Sequence, residues 1–292
     1  MSISICIPCH NFLAEPLLKS LRREATEVPV FLVDDGSDEK YAEINGKAAL
    51  AYHVDYEYLP KKKGRSDVRN YLAGKAQTDF LLFIDVDSLP VKRDFLASYL
   101  AQSVKADVVC GGTKYQAKMP DRHLMLRWKY GKASEETLAS DRQKKPYERL
   151  SFNNLLVRRS LFLDNPLLNL KHGYGHEDTL WGRSIETSSG ILHIDNPVYH
   201  IGLENNKAFL DKTRQAVENL AWLVQKKGFE DQSALSKLYG RLKSIGLHRF
   251  IPILGAFRVL IEDQLLDSLE PNLFNLNLLK LYWFHKAMNQ IK

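Results

Sequence analysis

Residues 80–87 read Phe80-Leu-Leu-Phe-Ile-Asp85-Val-Asp87. Five consecutive apolar residues suit a central strand of a parallel sheet, where both faces are covered. The run then ends in two carboxylates, Asp85 and Asp87, followed by Ser88 and Pro90. In open α/β folds the ligand lies beyond the carboxyl ends of the strands. Two acids one residue apart at such a tip repel unless a cation or a set of donors answers them. A divalent metal with oxygen ligands, carrying a diphosphate, is the simplest answer. A turn with solvated acids fits the same eight residues, so the rest of the chain must decide between the two.

Working outward, strand and helix signals alternate. Residues 3–7 read as a strand, and residues 13–24 place Leu13, Leu17, Leu18 and Leu21 at helical spacing. Residues 28–33 form a second buried strand closed by Asp34-Asp35-Gly36-Ser37, and residues 52–59 an edgeward third. Helices are expected at 65–76 and 94–104, and a short strand at 107–111. This rhythm predicts an α/β fold built on a doubly wound, mostly parallel sheet.

Residues 114–148 are polar and rich in Lys and Arg, and read as a partly mobile excursion near the substrate opening. Order returns at 149–162. Gly173-Tyr174-Gly175 precedes a helix starting at Glu177 or Asp178, residues 190–194 give a last strand, and Pro197 begins a loop through His200. From Asn206 the pattern is helical, and beyond Gly246 it is both apolar and basic, with Leu276, Leu279, Trp283 and Met288 at near-helical spacing. The expected organisation is a catalytic domain over 1–205 and a C-terminal helical extension over 206–292.

The 292-residue chain is 45% hydrophobic and 26% charged, an ordinary globular composition, and its net charge of +6 favours anionic ligands. The first eight residues lack the basic region and cleavage site of a signal peptide, and no apolar run approaches the roughly eighteen residues of a membrane span. Three cysteines make no disulfide framework and fit a reducing cytoplasm. Cys6-Ile-Pro-Cys9-His10 matches the CxxC and CxxCH strings, but Cys6 sits within a strand rather than at the helix start that activates such thiols. No Walker loop, dinucleotide fingerprint or nucleic-acid recognition element is present.

Other residues join Asp85 and Asp87 as candidates. Asp34 and Asp35 close strand two, and in a parallel sheet they face the same crevice. Glu177 and Asp178 open a helix, where acids also serve as caps. Trp181 offers a platform for a sugar face, Asn153 and Asn154 are candidate partners for substrate hydroxyls, and His200 is a candidate third metal ligand.

Taken together, these motifs resemble the family 2 glycosyltransferases. The resemblance rests on Ile5-Cys-Ile-Pro8-Cys-His-Asn11, Val33-Asp34-Asp35-Gly36-Ser37, Gly64-Arg65-Ser-Asp-Val-Arg69-Asn70, Asp85-Val86-Asp87, Gly175-His-Glu177-Asp178 and His200, in family order over residues 3–205. It implies a GT-A fold, the Rossmann-like nucleotide-diphospho-sugar transferase sheet, and inverting transfer of a hexose or N-acetylhexosamine from a UDP-linked donor to a saccharide or lipid-linked acceptor. It places Pro8, Asn11, Asp34, Asp35, Arg65, Arg69, Asp85 and Val86 around the nucleotide sugar, with Mn2+ or Mg2+ at Asp85, Asp87 and His200. Asp178 matches the catalytic base, with Glu177 on sugar or acceptor hydroxyls. The Gly-x-Gly-x-Glu-Asp form is similar to that of β-1,4-galactosyltransferases and chondroitin polymerases, except that His176 stands where those enzymes usually have Gly. The implied setting is surface-polysaccharide synthesis by a cytoplasmic enzyme. The basic, aromatic final stretch of the chain suits docking on an anionic membrane surface at the inner face, and equally packing against the main domain or a second subunit. A sugar-phosphate nucleotidyltransferase would need a glycine-rich basic loop after strand one, which Cys9-His-Asn-Phe does not provide. A non-catalytic carbohydrate- or lipid-binding protein would have no use for a metal pair and a distal acid together.

Overall fold

The computed structural model describes residues 2–24, 27–170, 174–229 and 233–290. Strands and helices alternate from the start: β1 (Ile3–Cys9), α1 (Glu15–Glu24), β2 (Val30–Asp35), α2 (Glu39–Ala51), β3 (Asp55–Leu59), α3 (Arg65–Lys75) and β4 (Phe80–Ile84). There follow β5 (Ser88–Pro90), α4 (Phe95–Gln102), β6 (Val108–Cys110), β7 (Thr113–Lys114), α5 (Met125–Ser134) and α6 (Ala139–Arg142). Next come β8 (Asn154–Arg158), α7 (Arg159–Asp164), α8 (Glu177–Ser184), β9 (Ile191–His193) and β10 (Val198–His200). The C-terminal part holds α9 (Asn206–Lys227), α10 (Ala234–Ser244), a 3-10 segment (Leu247–Phe257), α11 (Arg258–Asp267) and α12 (Leu273–Gln290).

Seven strands form one sheet in the order β3-β2-β1-β4-β8-β6-β9. All its pairs are parallel except those of β8, which runs antiparallel to both β4 and β6. β4 is central and buried along its whole length, and β3 is an edge strand, as expected. The period-2 alternation of the strands assigns each side chain to a face. Phe80, Leu82 and Ile84 point with Ile5 and Ile7 toward Leu17 and Leu21 of α1 and Phe95 and Tyr99 of α4. Leu81 and Phe83 point with Cys6 to the other face, among Val68 and Leu72 of α3, Phe162 of α7 and Trp181 of α8. Phe83 packs edge-on to Phe152 at 5.4 Å and against Phe162 at 4.9 Å.

The same alternation separates the two thiols of the CxxC string. Cys6 faces one core and Cys9 the other. Both are free and buried, and burial pushes the Cys9 thiol up to about 12. Neither has the thiolate character that redox or haem chemistry needs.

The segment expected as a loop from Pro197 contains β10, the middle strand of a second sheet ordered β5-β10-β7. Val198 and Tyr199 favour extended structure, but three residues are too short a run to read as a strand, and long-range pairing with 88–90 and 113–114 makes it one. Residues 114–148, expected to be an irregular excursion, hold α5 and α6 with a 3-10 turn at Arg122–Leu124.

The chain divides into two compact units. One comprises residues 1–116, 134–169 and 177–202; the other comprises 117–133, 170–176 and 203–292. The expected division near 205 lies next to the chain's last passage between them. Residues 117–133 and 170–176 group with the helical unit as well. In that unit the Leu126 N–H donates to Asn206 Oδ1 at 2.9 Å, and the Tyr130 ring lies 5.2 Å from that of Phe209. Leu276, Leu279 and Trp283 of α12 are buried.

Candidate active site

β4 delivers Asp85 just past its last residue, where the Asp85 N–H donates to the carbonyl of Asn153 at 3.2 Å. The first turns of α3 supply the answering charges. Arg69 Nη2 lies 2.7 Å from Asp85 Oδ1, and Arg65 Nη2 lies 4.0 Å from Oδ2. Burial alone would raise the Asp85 carboxyl, but Arg69, Arg65 and His200 outweigh it and hold the group below its ordinary range. Arg69 is itself buried, and its Nε has no hydrogen-bond partner among the described residues.

Asp87 turns the other way. Its Oδ2 lies 3.0 Å from His200 Nε2, because the antiparallel register of β5 and β10 sets His200 opposite Ser88. The strand end comes in so close that a Cβ on Gly202 would sit 2.5 Å from Asp87 Oδ2, so only glycine fits there. Tyr115 stands edge-on to the imidazole at 5.7 Å. A carboxylate oxygen and an imidazole nitrogen this close could both serve one divalent cation, so Asp87 and His200 are the residues that would hold it. Among the described residues no group of three or more His, Cys, Asp and Glu is close enough to hold a metal. Asp85, expected as a ligand, faces Arg69 and Arg65.

The third cluster opens α8. The residues before it, Gly175 and His176, have φ values of +89° and +72°. The left-handed region costs a residue with a Cβ more than glycine, so His176 is held there at a cost that Gly175 does not meet. Gly173 lies outside the described residues. Glu177 is buried, with Oε1 3.9 Å from Arg65 Nη1. Asp178 Oδ2 accepts from the Phe152 N–H at 3.2 Å. Burial pushes the Asp178 carboxyl up to about 7; Glu177 adds to the rise, while Arg69, the Phe152 N–H and Arg65 oppose it. A carboxyl that titrates there is well matched to taking a proton near neutrality.

The tips of β1 and β2 form a linked rim. The Asn11 N–H donates to Ser37 Oγ at 2.7 Å, and Asn11 Oδ1 accepts from the Asp38 N–H at 2.7 Å. Asp35 is buried, with one oxygen on the Lys63 N–H and the other on the Gly64 N–H, tying β2 to the start of α3. Asp34 is fully buried between the Ser37 N–H and the Tyr56 hydroxyl. Pro8 lies near the end of β1, and Val86 is buried between the two acids of the β4 tip.

The model for "Glycosyl transferase family 2" matches residues 4–163. The chain belongs to glycosyl transferase family 2. A curated relative, an uncharacterized glycosyltransferase of Haemophilus influenzae, is 32% identical over 100 residues, covering 33% of this chain and 38% of that protein. Among solved structures, the mannosyltransferase PcManGT from Pyrobaculum calidifontis, in complex with GDP-Man and Mn2+, has a TM-score of 0.63 at 10% identity. That likeness covers 99% of this chain and 87% of the other. A Staphylococcus aureus TarS structure with UDP-GlcNAc has a TM-score of 0.52 at 19% identity, covering 99% and 91%. Glucosyl-3-phosphoglycerate synthase from Mycobacterium tuberculosis, with Mn2+, UDP and glucosyl-3-phosphoglycerate, gives 0.52 at 16%, covering 78% and 80%. At these identities the likeness is one of fold, the α/β GT-A architecture.

Within this family 2 chain, two expected substrate residues are taken up by the core. Trp181 is 2% exposed, packs against Phe152 and Phe162, and donates its indole N–H to the Asn165 carbonyl, leaving no ring face for a sugar. Asn154 is fully buried, with its amide on the Gly112 and Asn196 carbonyls and its oxygen on the Tyr99 hydroxyl. Its neighbour differs. Asn153 donates to Thr113 Oγ1, but its Oδ1 has no partner among the described residues. Sequence reasoning missed Gly202 and Tyr115, which shape the surroundings of Asp87 and His200. Neither carries a local signal, since their importance depends on the pairing of β10.

Proposed function

We propose that this enzyme transfers a hexose or N-acetylhexosamine, with inversion, from a UDP-sugar to a saccharide or lipid-linked acceptor in surface-polysaccharide synthesis. The observation that carries this reading is Arg65. Its guanidinium lies within 4.0 Å of both Asp85 and Glu177, so the acids of the β4 tip and of the α8 start share one crevice. The net charge of +6 suits an anionic donor. Among the structural neighbours, TarS and the phosphoglycerate synthase bind a uridine nucleotide and PcManGT a guanosine one.

In this reading Asp87 and His200 hold Mn2+ or Mg2+, the imidazole favouring Mn2+ over the harder Mg2+. Bound there, the cation supplies Lewis-acid charge at the departing diphosphate. Arg69 keeps Asp85 ionised, and Asp35 and Asn11 fix the rim against which the nucleotide lies. Asp178 removes the acceptor proton as the acceptor oxygen bonds to the anomeric carbon and the carbon–diphosphate bond breaks. Glu177 and Asn153 accept from sugar hydroxyls.

The test is a panel of nucleotide sugars with purified protein, with Mn2+ or with chelator. Metal-dependent donor hydrolysis that disappears in Asp178→Asn and in Asp87→Ala is expected. Full activity in Asp87→Ala would remove the metal site from the proposal, and full activity in Asp178→Asn would remove the base.

A further inference from the structure

The helical unit carries a surface that donor chemistry does not use. From residue 233 to residue 261 the chain has five Lys and Arg and no Asp or Glu. Within the same stretch Leu247, Phe250, Ile253, Phe257, Val259 and Leu260 are each 47–70% exposed. A folded protein rarely leaves so many large apolar side chains together in water without a use for them.

The geometry explains why they face outward. In a 3-10 helix, residues three apart stack on one line. Leu247, Phe250 and Ile253 therefore form a single exposed stripe. The opposite side is fixed, because Ile251 is buried and Gly255 lies against Tyr282, whose ring would be 3.0 Å from an added Cβ. Ile261 and Leu265 bury one face of α11 in the same way. The stripe is thus held on a folded scaffold. Beside it, α10 contributes Lys237, Arg241 and Lys243 to an open groove of about 640 Å³ with Phe284 and Met288. Arg249 is exposed between Leu247 and Phe250.

We propose that this face docks on an anionic phospholipid surface, with the stripe entering the interfacial region and the lysines and arginines meeting phosphate headgroups. Charge selects the lipid over a second copy of the chain. Arg258 pairs with Glu262 at 3.6 Å, but Lys237, Arg241, Lys243 and Arg249 have no acid on α10 or the 3-10 segment beside them, and a two-fold contact through this face would bring two sets of these four cations together. An anionic bilayer neutralises them while covering the apolar stripe. No helix among the described residues is long and apolar enough to cross a membrane, so the contact is peripheral. The proposal does not depend on the donor or acceptor assigned above.

The full chain is sedimented with vesicles of phosphatidylcholine alone or with about 30% phosphatidylglycerol. Binding only to the anionic vesicles, weakened about tenfold or more at ~0.5 M salt, is expected. Phe250→Ser with Ile253→Ser should lower the partition coefficient at least about tenfold, as shortening a buried lipid-facing surface does. Lys243→Glu with Arg249→Glu, both on exposed positions, should abolish the anionic preference while melting as the parent does. Equal binding to neutral vesicles, or unchanged binding in charge variants that melt normally, would overturn the proposal. So would a solution dimer dispersed by the Phe250 and Ile253 changes, which would assign the face to a second copy.

Discussion

Asp178→Asn should abolish transfer and yet stabilise the protein above neutral pH. In the fold the carboxyl is raised from 3.8 to about 7, first by burial and then by Glu177. A carboxyl raised in this way favours the folded state fully below its unfolded value. That advantage is lost as pH climbs through 3.8 toward 7, because the native site must then hold a charge it disfavours. Each tenfold change in acidity is worth about 1.4 kcal/mol, so an upper figure for the site is about 4 kcal/mol. Glu177 shares that field and the side chain keeps some solvent access, so a gain of about 2 kcal/mol at pH 8 is the working expectation. At roughly 2 °C per kcal/mol for a chain of this size, Tm should rise by about 4 °C. The neutral amide keeps an oxygen for the Phe152 N–H, so the hydrogen bond at this position survives. Differential scanning fluorimetry at pH 4, 6 and 8, alongside initial rates, reads both effects. The parent's rate should rise about tenfold per pH unit below pH 7 and level off above it, as expected for a base that must be ionised. The two proteins should melt alike at pH 4, where the parent carboxyl is also neutral. A mutant that is active, or a Tm difference that does not grow with pH, would refute both the base assignment and its cause.

Particular contacts set four further outcomes. His200→Ala should weaken Mn2+ binding in the presence of UDP at least about tenfold, read from free Mn2+ by electron paramagnetic resonance, because Asp87 loses its partner 3.0 Å away. Gly202→Ala should weaken the same binding and destabilise by about 1–3 kcal/mol, since its methyl would meet Asp87 Oδ2 at 2.5 Å; wild-type affinity would show that the strand end gives way. Arg69→Met leaves the half-buried Asp85 without its 2.7 Å partner and with only Arg65 nearby, so denaturant melts should show a loss of about 1–3 kcal/mol and donor affinity should fall. Phe83→Ala should cost about 3–5 kcal/mol with little change in KM, because Phe83 is fully buried in the core against Phe152 and Phe162.

The apolar run 80–84 and its terminal acids were legible in the chain because a strand buried on both faces has a composition of its own. The acids of β2 and α8 were legible for a related reason, since turns and helix starts mark their places locally. Trp181 and Asn154 misled for the converse reason. A tryptophan beside an acidic motif and an asparagine at a strand start look alike whether they face a ligand or a core. Which way they face is set by neighbours as distant in sequence as Asn165 and Tyr99. The C-terminal stretch shows the same limit. Its final helix looks suited to a surface, yet α12 buries Leu276, Leu279, Leu281 and Trp283, and most of the exposed apolar side chains lie upstream at 247–260.

The sequence by itself determined the central strand, the acidic tips, the alternating α/β plan and the family. Each of these depends on a repeat of 2 or 3.6 residues, or on a motif held within a few positions. The tertiary structure alone decided that Asp87 faces His200, that Asp85 is held by Arg69 instead, and that Arg65 joins the two acidic clusters. Those facts rest on the pairing of β5 with β10 and on α3 lying under the end of β4. Such contacts join residues as far apart as 113 positions, and no local pattern records them.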